Sequence, residues 1–224
     1  LHSIVRPADL TYEKKYRMGC SLTADFSAPH FSAAKASSLE KLINSDFEVS
    51  DTARQRARKN IDCIIKNYVS KYNNQPIIDI NIGTKNKKVL VIDQACNDMS
   101  ITMGGCSEDT FINMLYDAIR ENPDSDILVK VHPDMINNPN RGGVKNKVYG
   151  HYTDIDLSEY KNVHIIANYV NPIALLKNID KVYVATSQMG FEALMCNKEV
   201  IIYGVPFYAG WGIGECRSNS PALL

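Results

Sequence analysis

Several short stretches of this chain combine residue types that can do chemistry. In Asp93-Gln94-Ala95-Cys96-Asn97-Asp98-Met99-Ser100 an aspartate on a loop can serve as nucleophile or base, and Gly104-Gly105 just beyond it can offer backbone N–H groups to an anion. On spacing alone Asp98 reads equally as a turn cap. Lys130-Val131-His132-Pro133-Asp134 holds a histidine able to give a proton or a hydrogen bond to a phosphate oxygen, its direction fixed by the following proline. Thr186-Ser187-Gln188-Met189-Gly190-Phe191-Glu192 pairs hydroxyls with a helix start, a combination suited to phosphate, and Glu192 one turn in can accept from ribose hydroxyls. The plainer alternative is that Ser187 is only an N-cap and Glu192 a surface residue. Tyr203-Gly204-Val205-Pro206-Phe207-Tyr208-Ala209-Gly210-Trp211-Gly212 is dense in glycine and aromatics, enough to wall a pocket or to plug the end of a sheet. No Gly-Lys-Ser/Thr or Gly-x-Gly-x-x-Gly string accompanies them.

The elements that must position these residues follow from periodicity. Val- and Ile-rich runs at Lys88–Asp93, Asp126–His132, Val163–Ala167, Lys181–Thr186 and Val200–Tyr203 read as strands. Helical stripes separate them: Glu108–Glu121 puts Phe111, Met114, Leu115, Ala118 and Ile119 on one face, and Asn171–Lys177 and Gly190–Cys196 form shorter helices. Strands joined through helices pair in parallel with right-handed crossovers, so the fold class is α/β, an open Rossmann-like parallel sheet. Ligands of such sheets sit beyond the carboxyl ends of the strands, where all the stretches above fall. Upstream, Asp51 can cap a helix running to about Tyr72, with Ala53, Ala57, Ile61, Ile64, Ile65, Tyr68 and Val69 on one face and Arg54, Arg56, Arg58, Lys59 and Lys66 on the other. Residues 1–38 read as loop-rich, and Asn73–Lys88 as a linker. The division is thus a partial helical N-terminal segment, 1–86, and a Rossmann-like domain, 87–224.

Composition bounds the partners. The chain has 224 residues, 45% of them hydrophobic, with 25 basic against 25 acidic side chains. Zero net charge removes the whole-molecule attraction on which nucleic-acid binding depends, so nucleic acid is not an expected partner. The six cysteines are scattered without zinc-ligand spacing and read as free thiols of a reducing cytoplasm. No apolar run approaches the ~20 residues of a membrane helix, and none of these residues reads as a signal peptide, so no membrane span or leader is expected. A start without methionine and a Ser/Asn/Pro tail suggest a piece of a longer polypeptide.

Taken together, Asp93-Gln94 with Asp98-Met99-Ser100-Ile101, Lys130-Val131-His132-Pro133-Asp134, Thr186-Ser187 with Gly190-Phe191-Glu192-Ala193-Leu194, and Gly204 to Gly212 resemble, in order and spacing, the bacterial capsule-polysaccharide β-Kdo transferases of the KpsC/KpsS type. Ser70-Lys71-Tyr72-Asn73 resembles the segment these proteins carry before their second Rossmann domain. The resemblance runs from about Ser38 to Gly212.

It implies the C-terminal, donor-binding half of a GT-B glycosyltransferase that moves Kdo from CMP-β-Kdo to a Kdo-bearing, phosphatidylglycerol-linked lipid acceptor with retention, through an aspartyl intermediate. By motif position Asp98 is the nucleophile and His132 stands at the departing phosphate. Thr186, Ser187 and Gly190 belong to the phosphate-binding stretch, Glu192 to the ribose, and Lys130 and Gln94 to the sugar carboxylate and to positioning the nucleophile. No metal or other cofactor is implied, since CMP leaves as a phosphate monoester that hydrogen bonds can stabilise. The expected partners are the CMP-sugar donor, a glycolipid at the inner face of the cytoplasmic membrane and capsule assembly proteins. The expected location is cytoplasmic, peripheral on that membrane, with the basic helix face and Lys85, Lys87 and Lys88 as contacts. Two alternatives are a transferase for another CMP-activated acidic sugar of the sialic acid type, and a non-catalytic scaffold module of a capsule assembly complex.

Overall fold

The computed structural model describes residues 24–132, 135, 150–152 and 155–217. Cys20, Pro133, Asp134 and the Ser/Asn/Pro tail lie outside the described residues. The Val/Ile runs form strands β1 (Lys88–Ile92), β2 (Asp126–Lys130), β3 (Val163–Ile166), β4 (Lys181–Val184) and β5 (Glu199–Ile202), joined by a two-residue β6 (Glu215–Cys216) that periodicity is too short to reveal. Every pairing is parallel, in the order β3-β2-β1-β4-β5-β6. That order is the one of a dinucleotide-type doubly wound sheet, and it reverses direction between β1 and β4.

Alternation along the strands explains why both faces are apolar. Leu90, Ile92, Leu128, Val182, Val184 and Ile202 pack on the side of α5 (Pro172–Lys177) and α6 (Gln188–Met195). Val89, Val91, Ile127, Val129, Tyr183 and Ile201 pack on the opposite side against Phe111, Met114, Leu115 and Ala118 of α4 (Glu108–Glu121). The predicted strands overrun the observed ones by a residue or two. Single ladder-like bonds persist past the ends: Asp93 N–H donates to Lys130 O, Val131 N–H to Ile166 O and Tyr203 N–H to Val184 O.

The segment before the sheet departs further from its sequence pattern. α1 (Ser38–Ile43), which the sequence pattern did not announce, is fixed by a capping box in which the Ser37 hydroxyl accepts from Glu40 N–H and the Glu40 carboxylate accepts from Ser37 N–H. α2 spans Asp51–Lys66 and is capped by Ser50, not Asp51. It stops short of Tyr72 because Tyr68 turns left-handed (φ 55°) and Val69 N–H closes on Ile64 O. No residue of α2 is buried.

Nor is 73–87 a free spacer. Gln75 Oε1 accepts from Val170 N–H, Pro76 O accepts from Asn171 N–H, and Ile80 joins the core. Gly83, at φ 84°, brings the chain against the buried Asp126, whose carboxylate accepts from Lys85 N–H. A Cβ at 83 would stand 2.2 Å from that carboxylate. Among the described residues no helix is long and apolar enough to cross a membrane, and no cluster of His, Cys, Asp and Glu could hold a metal ion.

Candidate functional site

A cleft of about 250 Å³ opens at the carboxyl ends of β1, β2 and β4, at the strand-order reversal. Its floor is a knot of short polar side chains. Gln94, buried just past β1, spends its whole amide there: Nε2 donates to Thr186 Oγ1 (3.0 Å) and Ser100 Oγ (3.2 Å), and Oε1 accepts from Thr186 N–H (2.9 Å). Gln94 is thus a cross-strand brace joining the loops after β1 and β4. It reaches the nucleophile candidate in one further step, because Ser100 N–H donates to Asp98 Oδ1 at 2.9 Å.

Asp98 is exposed at the cleft edge and caps α3 (Met99–Met103), a short helix unforeseen from the sequence. The cap role and the cleft-lining position coincide in one side chain. The Gly104-Gly105 pair does not present its N–H groups to an anion: they donate to Ser100 O and Thr102 O and close α3. Gly104 has a packing duty as well, since a Cβ there would lie 2.4 Å from the Thr186 methyl.

From β2 come Lys130 and His132. Lys130 is buried, donates from Nζ to Val131 O (2.8 Å), and burial lowers its pKa to about 8. His132 Nε2 lies 2.9 Å from Tyr72 Oη. From β4, Ser187 lines the cleft and caps α6, its hydroxyl accepting from Met189 N–H.

Glu192 is not a surface residue. It is 4% exposed, and its Oε1 accepts from Ser70 Oγ (2.8 Å) and Lys71 N–H (3.3 Å). Burial pushes its pKa up to about 7 against the downward pull of those donors. Gly190 does not line the cleft. It makes room for Tyr208, whose hydroxyl would lie 2.3 Å from a Cβ there and donates to Ser187 O. Trp211 also stands outside, its indole N–H donating to Phe207 O.

The structure therefore gathers Asp98, His132, Gln94, Lys130, Thr186, Ser187 and Glu192 around one cleft. It adds residues that sequence reasoning did not assign to a site: His30, Phe31, Lys71 and Tyr72 form a second wall, and Phe207 stacks edge-on to His30 (5.7 Å). Ser70 to Asn73 had a signal, the motif itself; His30 and Phe31 sit in a loop with no periodicity to betray them. Asp93, also on the cleft wall, accepts from the buried imidazole of His151 through Nδ1–H at 2.7 Å, and that imidazole stacks flat on Phe111 at 3.7 Å.

This arrangement matches known proteins in both sequence and shape. The family model described as capsule polysaccharide biosynthesis protein matches residues 27–222. The chain belongs to the capsule polysaccharide biosynthesis family. It is 40% identical over 202 residues to the capsule polysaccharide modification protein LipA of Neisseria meningitidis serogroup A, covering 88% of this chain and 27% of that one. It is 31% identical to the lipopolysaccharide-processing protein LpsZ of Rhizobium meliloti, over 90% of this chain and 44% of that one. Among solved structures, the KpsC β-Kdo 2,4 transferase of Thermosulfurimonas dismutans superposes with a TM-score of 0.82 at 34% identity, over 97% of this chain and 64% of that one. The β-Kdo 2,7 transferase of the same KpsC gives 0.62 at 27% identity, over 88% and 57%. The chain thus spans about a quarter of LipA and under two thirds of either transferase chain. The capsule family match begins at residue 27, so it includes His30 and Phe31, which the motif resemblance left out.

Proposed function

We propose that this chain is the donor-binding half of a GT-B glycosyltransferase of capsule synthesis, transferring Kdo from CMP-β-Kdo to a Kdo-bearing glycolipid with retention of configuration. The observation that carries this reading is the convergence of Asp98, Lys130, His132 and Ser187, from the carboxyl ends of three different strands and the loops beyond them, on one cleft at the sheet's reversal point. Likeness to two Kdo transferases supports the choice of sugar.

In this reading the Asp98 carboxylate attacks the anomeric carbon while the bond from that carbon to the CMP phosphate oxygen breaks. CMP departs with the bonding electrons. Its added negative charge meets the His132 imidazole, the Ser187 hydroxyl and the α6 start, groups already held in place before the bond breaks. The acceptor hydroxyl then attacks the same carbon from the opposite face, the carbon–oxygen bond to Asp98 breaks, and the hydroxyl proton passes to a nearby base. Two inversions give retention. Lys130, protonated below about pH 8, supplies the cation for the ketose carboxylate. The acceptor is met at a membrane surface, with the basic side of α2 as the contact face.

Calorimetry with CMP and UMP tests the donor site. CMP binds, UMP does not, and His132→Ala abolishes the heat; a chain that binds neither nucleotide would leave the scaffold reading in its place. In the full-length polypeptide, CMP-Kdo leaves a covalent sugar on Asp98 detectable by mass spectrometry, and Asp98→Asn lowers transfer by at least about a thousandfold. Transfer that survives this substitution rules out the aspartyl intermediate.

A further inference from the structure

The turn Ser70–Asn73 lies before the sheet in sequence yet enters the cleft twice, through Lys71 and Tyr72. It is built to stay there. Ser70 N–H donates to Asn73 Oδ1 at 2.7 Å, which closes the turn on itself. Ser70 Oγ and Lys71 N–H both donate to Glu192 Oε1, which ties the turn to α6 across more than a hundred residues of sequence. The Tyr72 ring meets His132 edge-on at 5.9 Å, with the hydroxyl on Nε2.

We propose that Tyr72 is the positioning residue of His132, that its hydroxyl donates to Nε2 so that the neutral imidazole carries its proton on Nδ1, and that Glu192 acts through Ser70 and Lys71 to hold Tyr72 in place. The direction follows from donor strength: a phenol O–H beside a neutral imidazole nitrogen donates to it, because that nitrogen is the better acceptor of the two. When His132 gains a proton at Nε2, the phenol oxygen accepts instead and neither ring has to move. The pair therefore keeps one geometry across both charge states of His132. A residue facing a departing phosphate needs this property, because electrostatic stabilisation works only if the group is already in place when charge develops. Glu192 then serves the cleft as an anchor rather than through its own charge.

The inference rests on the donor-site reading only for its purpose; the imidazole state is measurable without nucleotide. ¹⁵N spectra of histidine-labelled protein near neutral pH, with His132 assigned by loss of its signals in His132→Gln, should show the Nδ1–H form. Tyr72→Phe keeps the ring and removes the hydroxyl, and should shift His132 toward a tautomer mixture. Glu192→Ala should reproduce that mixture, and Glu192→Gln, which retains the acceptor oxygen, should restore the parent pattern. A parent chain with the proton on Nε2, or a Tyr72→Phe spectrum identical to the parent, overturns the assignment. If Glu192→Ala does not fold, the Glu192 arm rests on Glu192→Gln, where a changed tautomer contradicts the anchor role. CMP titration is read separately: Tyr72→Phe should weaken binding roughly fivefold, the scale of one hydrogen bond. No CMP binding by the parent chain would sink the donor-site reading while leaving the tautomer result standing.

Discussion

Helices α4 and α2 carry comparable amphipathic patterns and meet opposite fates. In α4, Phe111, Met114, Leu115 and Ala118 are wholly buried against the sheet, and Phe111 also supports the His151 ring that contacts Asp93. In α2, Ala53, Ile61, Ile64 and Ile65 reach only partial burial, and the flanking Leu42, Ile43, Phe47 and Val49 are exposed. The same periodicity thus marks a face without saying what covers it. The sheet half is held by apolar burial, and the segment before it by hydrogen bonds at its ends.

The contrast can be broken in order of expected effect. Phe111→Ala should cost about 3–5 kcal/mol by denaturant titration, and Ile64→Ala under about 1. Equal losses would mean that α2 is part of the core after all. Next, Glu192 joins the two regions, and its raised pKa sets a pH signature. Its folded-state pKa of about 7 lies above the ordinary 4.5, so the folded chain holds the extra proton between these values and stability falls as pH rises through them. Glu192→Gln should therefore stabilise the chain by up to about 3 kcal/mol above pH 7, and the gain should vanish below about pH 4.5. A gain independent of pH would assign it to packing.

Smaller effects follow at the cleft and the surface. Lys130, with its pKa lowered to about 8, loses its charge above that value, so affinity for a carboxylate-bearing donor should drop about tenfold between pH 7 and 9. Lys130→Met should show the low affinity throughout. Last, Ser50→Ala removes the α2 cap and should raise amide exchange within α2 by an amount worth about 0.5–1 kcal/mol, leaving global unfolding unchanged.

The parts of the fold that were legible are those where local pattern and burial agree. Val and Ile runs announce a sheet buried on both faces, and the α4 stripe predicted its bounds because the helix packs along its whole length. That Asp98, His132 and Ser187 would meet at one cleft was legible because topology makes the loops beyond neighbouring strands neighbours. Gln94 and Glu192 illustrate the opposite case. Their types permit substrate contact, but whether an amide or a carboxylate is already spent on Thr186 or Ser70 depends on partners about a hundred residues away. α1 and α3 were too short for periodicity and form through their caps. His30 and Phe31 stand in a stretch ordered by isolated bonds, such as Ala33 N–H to Met103 O, which leave no repeating trace.

His30 and Phe31 precede α1 and α2, while Lys71 and Tyr72 follow them, so the two helices form an excursion with both feet standing in the cleft. Each foot has its own fastening, at Met103 and Phe207 for the first and at Glu192 for the second. A protease cut after the exposed Lys59 would open the excursion and leave both feet planted, so a nicked chain should bind CMP, the proposed donor nucleotide, as the intact one does.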